Sequence, residues 1–497
     1  MLDKLKRTAT HSAIFALGKL GSKLVGFILL PIYTEALLPE QYGVLGLLEV
    51  VELLFVHLLS LALQTALFRW YTLSDDLAQK KSYVFSITTL LILITLGLLP
   101  FVIYGGDMIS SFLLDSSAYG NYFLYLYASI SFQILGKIPL TLLRIEEKSF
   151  YFAVLILIQF LISLLLNIYY VVFLGMGVAG ILIASAISNG VILLLLIPYL
   201  FNRMSFNFAT QELKSMILYS LPLMFAAITS TILSLGDRFI LTKISTLEMV
   251  GLYSLGFKLS NVLKVFIVDS FFLGLPIIGW RVVKEDSNPK RFFSKTMTYL
   301  VFVLLWIGLA VSAFAKGVIQ ILATDPLYWG AHKVVPLLVL GIVLMSIQRM
   351  IFFQLEIVRK TKLIPLLVSS VLIVNILLNL MLIPLFNMVG AAFANVLSNL
   401  ASALLAYFVA QKFYPIKYEI RRLLVLAFVA LVLYSITLLL NDVLLVMRII
   451  LKGSIVLSFP VLLYYINFYE PVEINRIRGS SLKLKKKTFS IFNFYKK

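Results

Sequence analysis

Apolar stretches of about twenty residues recur along this chain from one end to the other, and each is long enough to span a hydrocarbon core about 30 Å thick. Inside a bilayer every backbone N–H and C=O must find its partner within the protein, which leaves only helices and closed barrels. Runs such as "VILLLLIPYLF" are continuously apolar. Barrel strands alternate with period two, so the reading is all-α, a polytopic helical membrane protein. Composition agrees: 61% of the 497 residues are hydrophobic and 13% charged, with a mean hydropathy of +1.01, against about 25% charged in soluble domains.

Charged or turn-rich breaks divide the chain into about fourteen segments: 11–34, 41–68, 82–104, 119–143, 150–173, 177–200, 214–242, 249–273, 295–316, 326–353, 363–386, 388–411, 421–440 and 443–468. The first is read as an uncleaved helix, because no convincing small-residue cleavage site follows it. Alternate connections are basic, among them Lys80/Lys81, Arg144/Lys148, Arg203/Lys214 and Arg359/Lys360/Lys362, while the intervening ones carry almost no Lys or Arg. The positive-inside rule then places both termini in the cytoplasm of a cell-membrane protein. It also absorbs the net charge of +19 without nucleic acid; the tail "RIRGSSLKLKKKTFSIFNFYKK" suits anionic lipid. With no cysteine and three scattered histidines, nothing calls for a metal or another cofactor.

The chain also repeats. "LLPEQYGVLGLLEVVELL" (37–54) resembles "STLEMVGLYSLGFKLSNVL" (245–263), and Ser188-Asn189 returns as Ser398-Asn399. Six helices per copy is an even number, so the copies run parallel about an axis along the membrane normal, as in transporters with rocking lobes. The expected division is an N-lobe over 1–205 (helices 1–6), a C-lobe over 206–415 (helices 7–12), helices 13 and 14 over 416–470, and a basic cytoplasmic tail over 471–497. Pro31, Pro222, Pro276, Pro336 and Pro384 offer bends within these helices.

"GFILLPIYTEALLPEQYGVLGLLEV" with "LQTALFRWY", and "LGDRFILTKISTLEMVGLYSLGFKL" in the second copy, resemble the polysaccharide flippase family of the multidrug/oligosaccharidyl-lipid/polysaccharide exporter superfamily. The resemblance covers about residues 10–470. It implies two six-helix lobes that translocate a polyprenyl-diphosphate-linked oligosaccharide from the cytoplasmic to the outer leaflet for cell-surface polysaccharide synthesis, by alternating access. Implied partners are the anionic lipid-linked glycan, membrane lipids, and the polymerase or transferase machinery that handles the glycan.

Charges within the spans carry the mechanism. At 1.5 Å per residue, Lys19 and Lys23 lie about 12 and 18 Å into helix 1 and share a face, being four apart. Lys258, Lys264 and Arg349 add cations from the second copy, while Glu49 and Glu52 lie about 12 and 16 Å along helix 2. One reading pairs Lys23 with Glu52 and lets Lys19 snorkel to the headgroups. The other counts a surplus of cations, which demands a wet positive lumen and an anionic ligand such as a diphosphate. Glu49, Glu52 and His57 read either as coupling-proton carriers or as ion-pair partners. Asp237 and Arg238 read as a gate or a structural pair, and Arg69 as a contact for the arriving headgroup or a plain topology charge. A cation-coupled multidrug or other lipid exporter of the same superfamily is the alternative; it would prefer an anionic lumen, which the lysines oppose. A membrane polymerase or ligase would need a large external loop, and the G-x-x-x-x-G-K-[ST] phosphate loop of ATP-driven pumps does not occur.

Overall fold

The computed structural model describes residues 28–286, 288–440, 443–471 and 473–474, so Lys19, Lys23 and the basic tail lie outside the described residues. Among these the chain is helical, with no strand. In order come α1 (Leu30–Ala36), α2 (Pro39–Ser60), α3 (Leu63–Leu73), α4 (Leu77–Leu114), α5 (Gly120–Ile145), α6 (Ser149–Asn167) and α7 (Gly177–Phe201). The second copy supplies α8 (Thr210–Leu235), α9 (Asp237–Ile244), α10 (Leu247–Leu263), α11 (Asp269–Glu285), α12 (Pro289–Leu322), α13 (Val335–Ile357) and α14 (Leu363–Phe413); α15 (Ile420–Leu438) and α16 (Leu445–Tyr465) follow.

Twelve of the described helical stretches are long and apolar enough to cross a membrane. One of them is long enough to cross twice. α14 contains Asn387 at φ 50, ψ −130, and Asn375 Nδ2 donates to Ser398 Oγ at 3.0 Å. Twenty-three residues of straight helix would hold those two about 34 Å apart, so the helix folds back at Asn387 into an antiparallel pair. With the first segment mostly outside the described residues, the fourteen expected segments are accounted for closely.

Helix ends follow local chemistry. The Asp76 and Asp325 side chains accept from the amides of Ala78 and Leu327, both at 2.9 Å, satisfying donors that a helix start leaves open. Pro336, which interrupts the expected tenth segment, sits at the second position of α13, where its missing N–H costs nothing. The α6–α7 turn needs φ values of 62 and 55 at positions 175 and 177, and glycine occupies both. The expected external connection near 105–120 is shorter than its sequence suggests, because α4 continues through "GGDMISSFLL" to Leu114.

The chain forms two compact units. The first comprises the residues up to Ser270 with Ala315–Tyr414, and holds α1–α10, α13 and α14. The second comprises Phe271–Phe314 with the residues from Pro415 on. Within the second unit Trp306 Nε1 donates to the Val456 carbonyl at 2.8 Å, and buried Lys452 donates to that of Ala313 at 2.9 Å. Lys452 therefore turns into protein. One end of this unit is tied by Lys295, which meets Glu419 at 2.7 Å and also pairs with Glu470; Arg422 reaches Glu419 at 3.2 Å.

Candidate functional site

The first unit is organised around α2 and α10, the helices that carry the matching sequence segments. A Cβ added to Gly43 would stand 1.9 Å from the Leu247 carbonyl oxygen, and one on Gly251 would stand 1.9 Å from that of Pro39. Both residue pairs are related by the same offset of 208, so the contact is reciprocal: each copy presents the same surface to the other. Gly46 and Ser254, another matched pair, also touch, since a Cβ on Gly46 would lie 2.3 Å from Ser254 Oγ. Small residues allow helix backbones this close inside a membrane.

Around the crossing, aromatic and charged side chains close ranks. The buried Tyr42 and Tyr328 rings meet edge to face at 5.9 Å, and Tyr328 donates from its hydroxyl to the Leu37 carbonyl at 2.8 Å. Tyr33 donates to Asn167 Oδ1 at 2.7 Å. Asp237 and Arg238 begin α9 just after the α8–α9 break, and both are buried. Tyr253 donates to the Asp237 carboxylate. Arg238 donates to the Gly46 carbonyl at 3.1 Å and lies 4.9 Å over the Phe257 ring. The two neighbours therefore reach out to α10 and α2 and brace the crossing between them.

About 9 Å deeper along α2, at 1.5 Å per residue, the character changes. Lys258 Nζ pairs with Glu49 Oε1 at 2.7 Å and sits 5.1 Å over the Tyr42 ring. Glu52, one turn further, feels the charges of Glu49 and of Lys137 on α5, and Lys137 also acts on His57. Lys23, the partner expected for Glu52, is outside the described residues.

Beyond α10 the chain winds into one π-helical turn, Lys264–Val268. Residues five apart stand about 140° apart on an α-helix, whereas i→i+5 bonding aligns them. Lys264 Nζ accordingly lies 3.3 Å from both carboxylate oxygens of Asp269. Arg349 of α13 reaches the same carboxylate at 3.5 Å. Two of the sequence-predicted cations thus converge on Asp269, which α-helical spacing would have turned away from Lys264; no sequence signal marked the π turn. Arg69 belongs to neither group. It follows Leu61 and Ala62, whose left-handed conformations (φ 46 and 52) end α2 and redirect α3. Its guanidinium lies 5.2 Å from the Trp70 ring and 4.8 Å from that of Tyr219 on α8.

Outside the spans, Glu146 ties the α5–α6 turn to the end of α7. Arg203 donates to both its oxygens, at 2.5 and 2.8 Å, and Lys148 stands at 2.7 Å. Burial pushes the carboxyl up, but the bonds from Arg203 and Lys148 prevail and hold its pKa down at about 2.

No group of three or more metal-ligating side chains occurs among the described residues. Chemically the region offers positive charge beside partly neutralising carboxylates.

The profile of the family described as polysaccharide biosynthesis protein matches residues 9–279. By sequence, no curated protein matches. Among solved structures, the fold is similar to that of the lipid II flippase MurJ in an inward closed conformation, at 13% identity over 92% of this chain and 100% of that one, with a TM-score of 0.75. It is also similar to an inward-facing multidrug resistance MATE family transporter of the MOP superfamily, at 14% identity over 80% of this chain and 94% of that one, TM-score 0.66. A further MATE multidrug transporter, DinF-BH, aligns at 15% identity over 82% of this chain and 95% of that one, TM-score 0.58. At such identities the likeness is one of fold.

Proposed function

The chain belongs to the polysaccharide biosynthesis protein family, and from that premise we propose that it is a flippase carrying a polyprenyl-diphosphate-linked oligosaccharide from the cytoplasmic to the outer leaflet by alternating access. The observation that carries this reading is the cation group of Lys258, Lys264 and Arg349, held at membrane depth on α10, the π turn and α13, where Glu49 and Asp269 are their ion-pair partners. Lys19 and Lys23, the other two cations expected from the sequence, lie outside the described residues. Membrane-embedded charge is expensive and marks a pathway for an ionic substrate. A diphosphate, with its many acceptor oxygens, suits lysine point charges and an arginine fork.

Exchange is natural to such a site. The carboxylates keep the cations compensated before substrate arrives, and a diphosphate takes their place. Contributions from both sequence copies would let one headgroup bridge them and favour the closed intermediate. The reciprocal Gly43–Gly251 crossing supports a barrier at the expected outer face, formed and broken once per cycle. Glu52 is the proposed coupling residue, with His57 assisting; Glu52→Gln should leave folding intact and abolish the response of transport to a pH gradient.

The deciding experiment is a leaflet-resolved assay of the lipid-linked sugar after depletion of this protein. Accumulation in the cytoplasmic leaflet is expected; an unchanged distribution, with altered drug sensitivity instead, would favour multidrug export. Reporter fusions test the proposed topology, in which both termini are cytoplasmic: Ser116 should score as external, and a cytoplasmic score would overturn it.

A further inference from the structure

A second polar feature lies away from the cations. Helices α5, α6 and α7 form an open cleft of about 330 Å³ lined by Gln133, Gln159, Ser163, Ser185, Ser188 and Asn189, with Ile156 and Phe160 as its apolar wall. That is the lower end of the range of small-molecule sites, about 300–1,000 Å³. Gln133, Gln159 and Asn189 each stand well inside their helices, roughly eight or more residues from either end, so at 1.5 Å per residue they are about 12 Å or more from either helix end. The cleft is at mid-membrane depth.

Helix-to-helix adhesion explains part of this polarity. Asn189 Nδ2 donates to Ser129 Oγ at 3.0 Å, Ser129 and Ser185 share a hydrogen bond at 2.9 Å, and Gln159 Nε2 donates to Asn189 Oδ1 at 2.7 Å. Such bonds are ordinary glue between membrane helices. They leave two groups unexplained: the Gln133 amide makes no hydrogen bond among the described residues, and the Gln159 carbonyl makes none either. An amide facing hydrocarbon with no partner costs several kcal/mol.

The lining selects the ligand. A cation would want carboxylates and an anion would want lysine or arginine; none lines this cleft. Amides and hydroxyls that both donate and accept, set against a phenyl ring, match an uncharged ligand dense in hydroxyl groups, with an apolar C–H face to lie on Phe160. We infer that this cleft is a saccharide-binding subsite. It rests on the flippase reading for its favoured ligand, the glycan of the carried lipid, whose charged diphosphate would be held by the cations. A neutral glycolipid of the surrounding membrane offers the same chemistry.

The test is native mass spectrometry of the purified full-length protein with three probes: a prenyl diphosphate bearing a disaccharide, the sugar-free prenyl diphosphate, and diglucosyl diacylglycerol. The glycosylated carrier should bind about tenfold more tightly than the sugar-free one, as two or so neutral hydrogen bonds allow. Gln133→Leu and Gln159→Leu should each erase most of that difference while leaving the sugar-free affinity within about twofold. Gln133→Leu replaces an amide that has no partner among the described residues with an apolar group of similar size, so loss of folding is not expected from it. Diglucosyl diacylglycerol binding that depends on Gln133, without a glycan-dependent difference between the two carriers, would keep the subsite and assign it to membrane glycolipid. A difference that survives both substitutions, or no Gln133-dependent binding of either sugar, overturns it. Failure of the flippase reading shows separately, as sugar-free carrier that does not bind or is indifferent to Lys258→Ala.

Discussion

At the Pro39 and Leu247 ends of α2 and α10, backbone lies on backbone; two turns further in, the same helices are joined through the Glu49 and Lys258 side chains. The first contact is symmetric, made by residues that correspond between the copies. The second is not: the counterpart of Glu49 at the same offset is Phe257, and that of Lys258 is Val50. A duplicated sequence can build a self-complementary seal from equal surfaces, because glycine against carbonyl needs no second chemistry. An ion pair needs unlike partners, so the copies had to diverge where charge was required.

The largest effect should come from filling the symmetric contact. Gly43→Val puts side-chain atoms where the Leu247 carbonyl lies, an overpacking of about 1–3 kcal/mol or more, and should abolish transport. The chain contains no cysteine, so a single Ser254→Cys probe can report on the seal. It should be protected from an impermeant maleimide in the otherwise unchanged protein and labelled when Gly43→Val is added. Continued protection together with normal transport would remove the seal from the mechanism.

Next comes the asymmetric contact. Lys258→Ala strands Glu49 at membrane depth and should destabilise by about 3 kcal/mol, toward the low end for a broken buried pair, because the Glu49 side chain retains 35% exposure. The exchange Glu49→Lys with Lys258→Glu should recover thermal stability but not glycan export. Recovery of both would make the pair purely structural.

Arg349→Ala removes one charge-assisted contact, worth roughly 1.5–3 kcal/mol, and should weaken binding of a prenyl diphosphate tenfold to a hundredfold while protein abundance stays normal. Arg349→Lys should be milder, since it keeps the charge and loses only the fork. Equal affinity in the alanine variant would separate the Asp269 group from the substrate.

The smallest effect lies outside both contacts. With the Glu146 carboxyl held near 2 by its partners against about 4.3 in an unfolded chain, its contribution to stability is fully present above pH about 4.5. It is lost as pH falls toward 2. Glu146→Gln should lower the midpoint of thermal unfolding at pH 7, and the gap from the unsubstituted protein should narrow below pH 4. A gap that widens in acid would contradict the assignment.

Much of this protein follows from its sequence alone. Apolar runs of membrane-spanning length can only become helices, because lipid supplies no hydrogen-bond partners, and an internal repeat of helices 1–6 must place Gly43 and Gly251 in equivalent settings. The residue types that carry charge into the membrane are likewise visible, since a lysine within an apolar run stands out wherever it points. What the sequence could not decide is which of those charges meet. Lys264 and Asp269 come together through a π turn that no sequence signal marks. Arg349 joins them from a helix some eighty residues away in the chain. Gln133 and Gln159 gave no periodic or charge signal, and only the packing of α5, α6 and α7 leaves a space between them. Local hydrophobicity fixes helices because it acts within one segment; partners and cavities depend on how segments cross, and that is settled by side chains far apart in sequence meeting at one depth in the membrane.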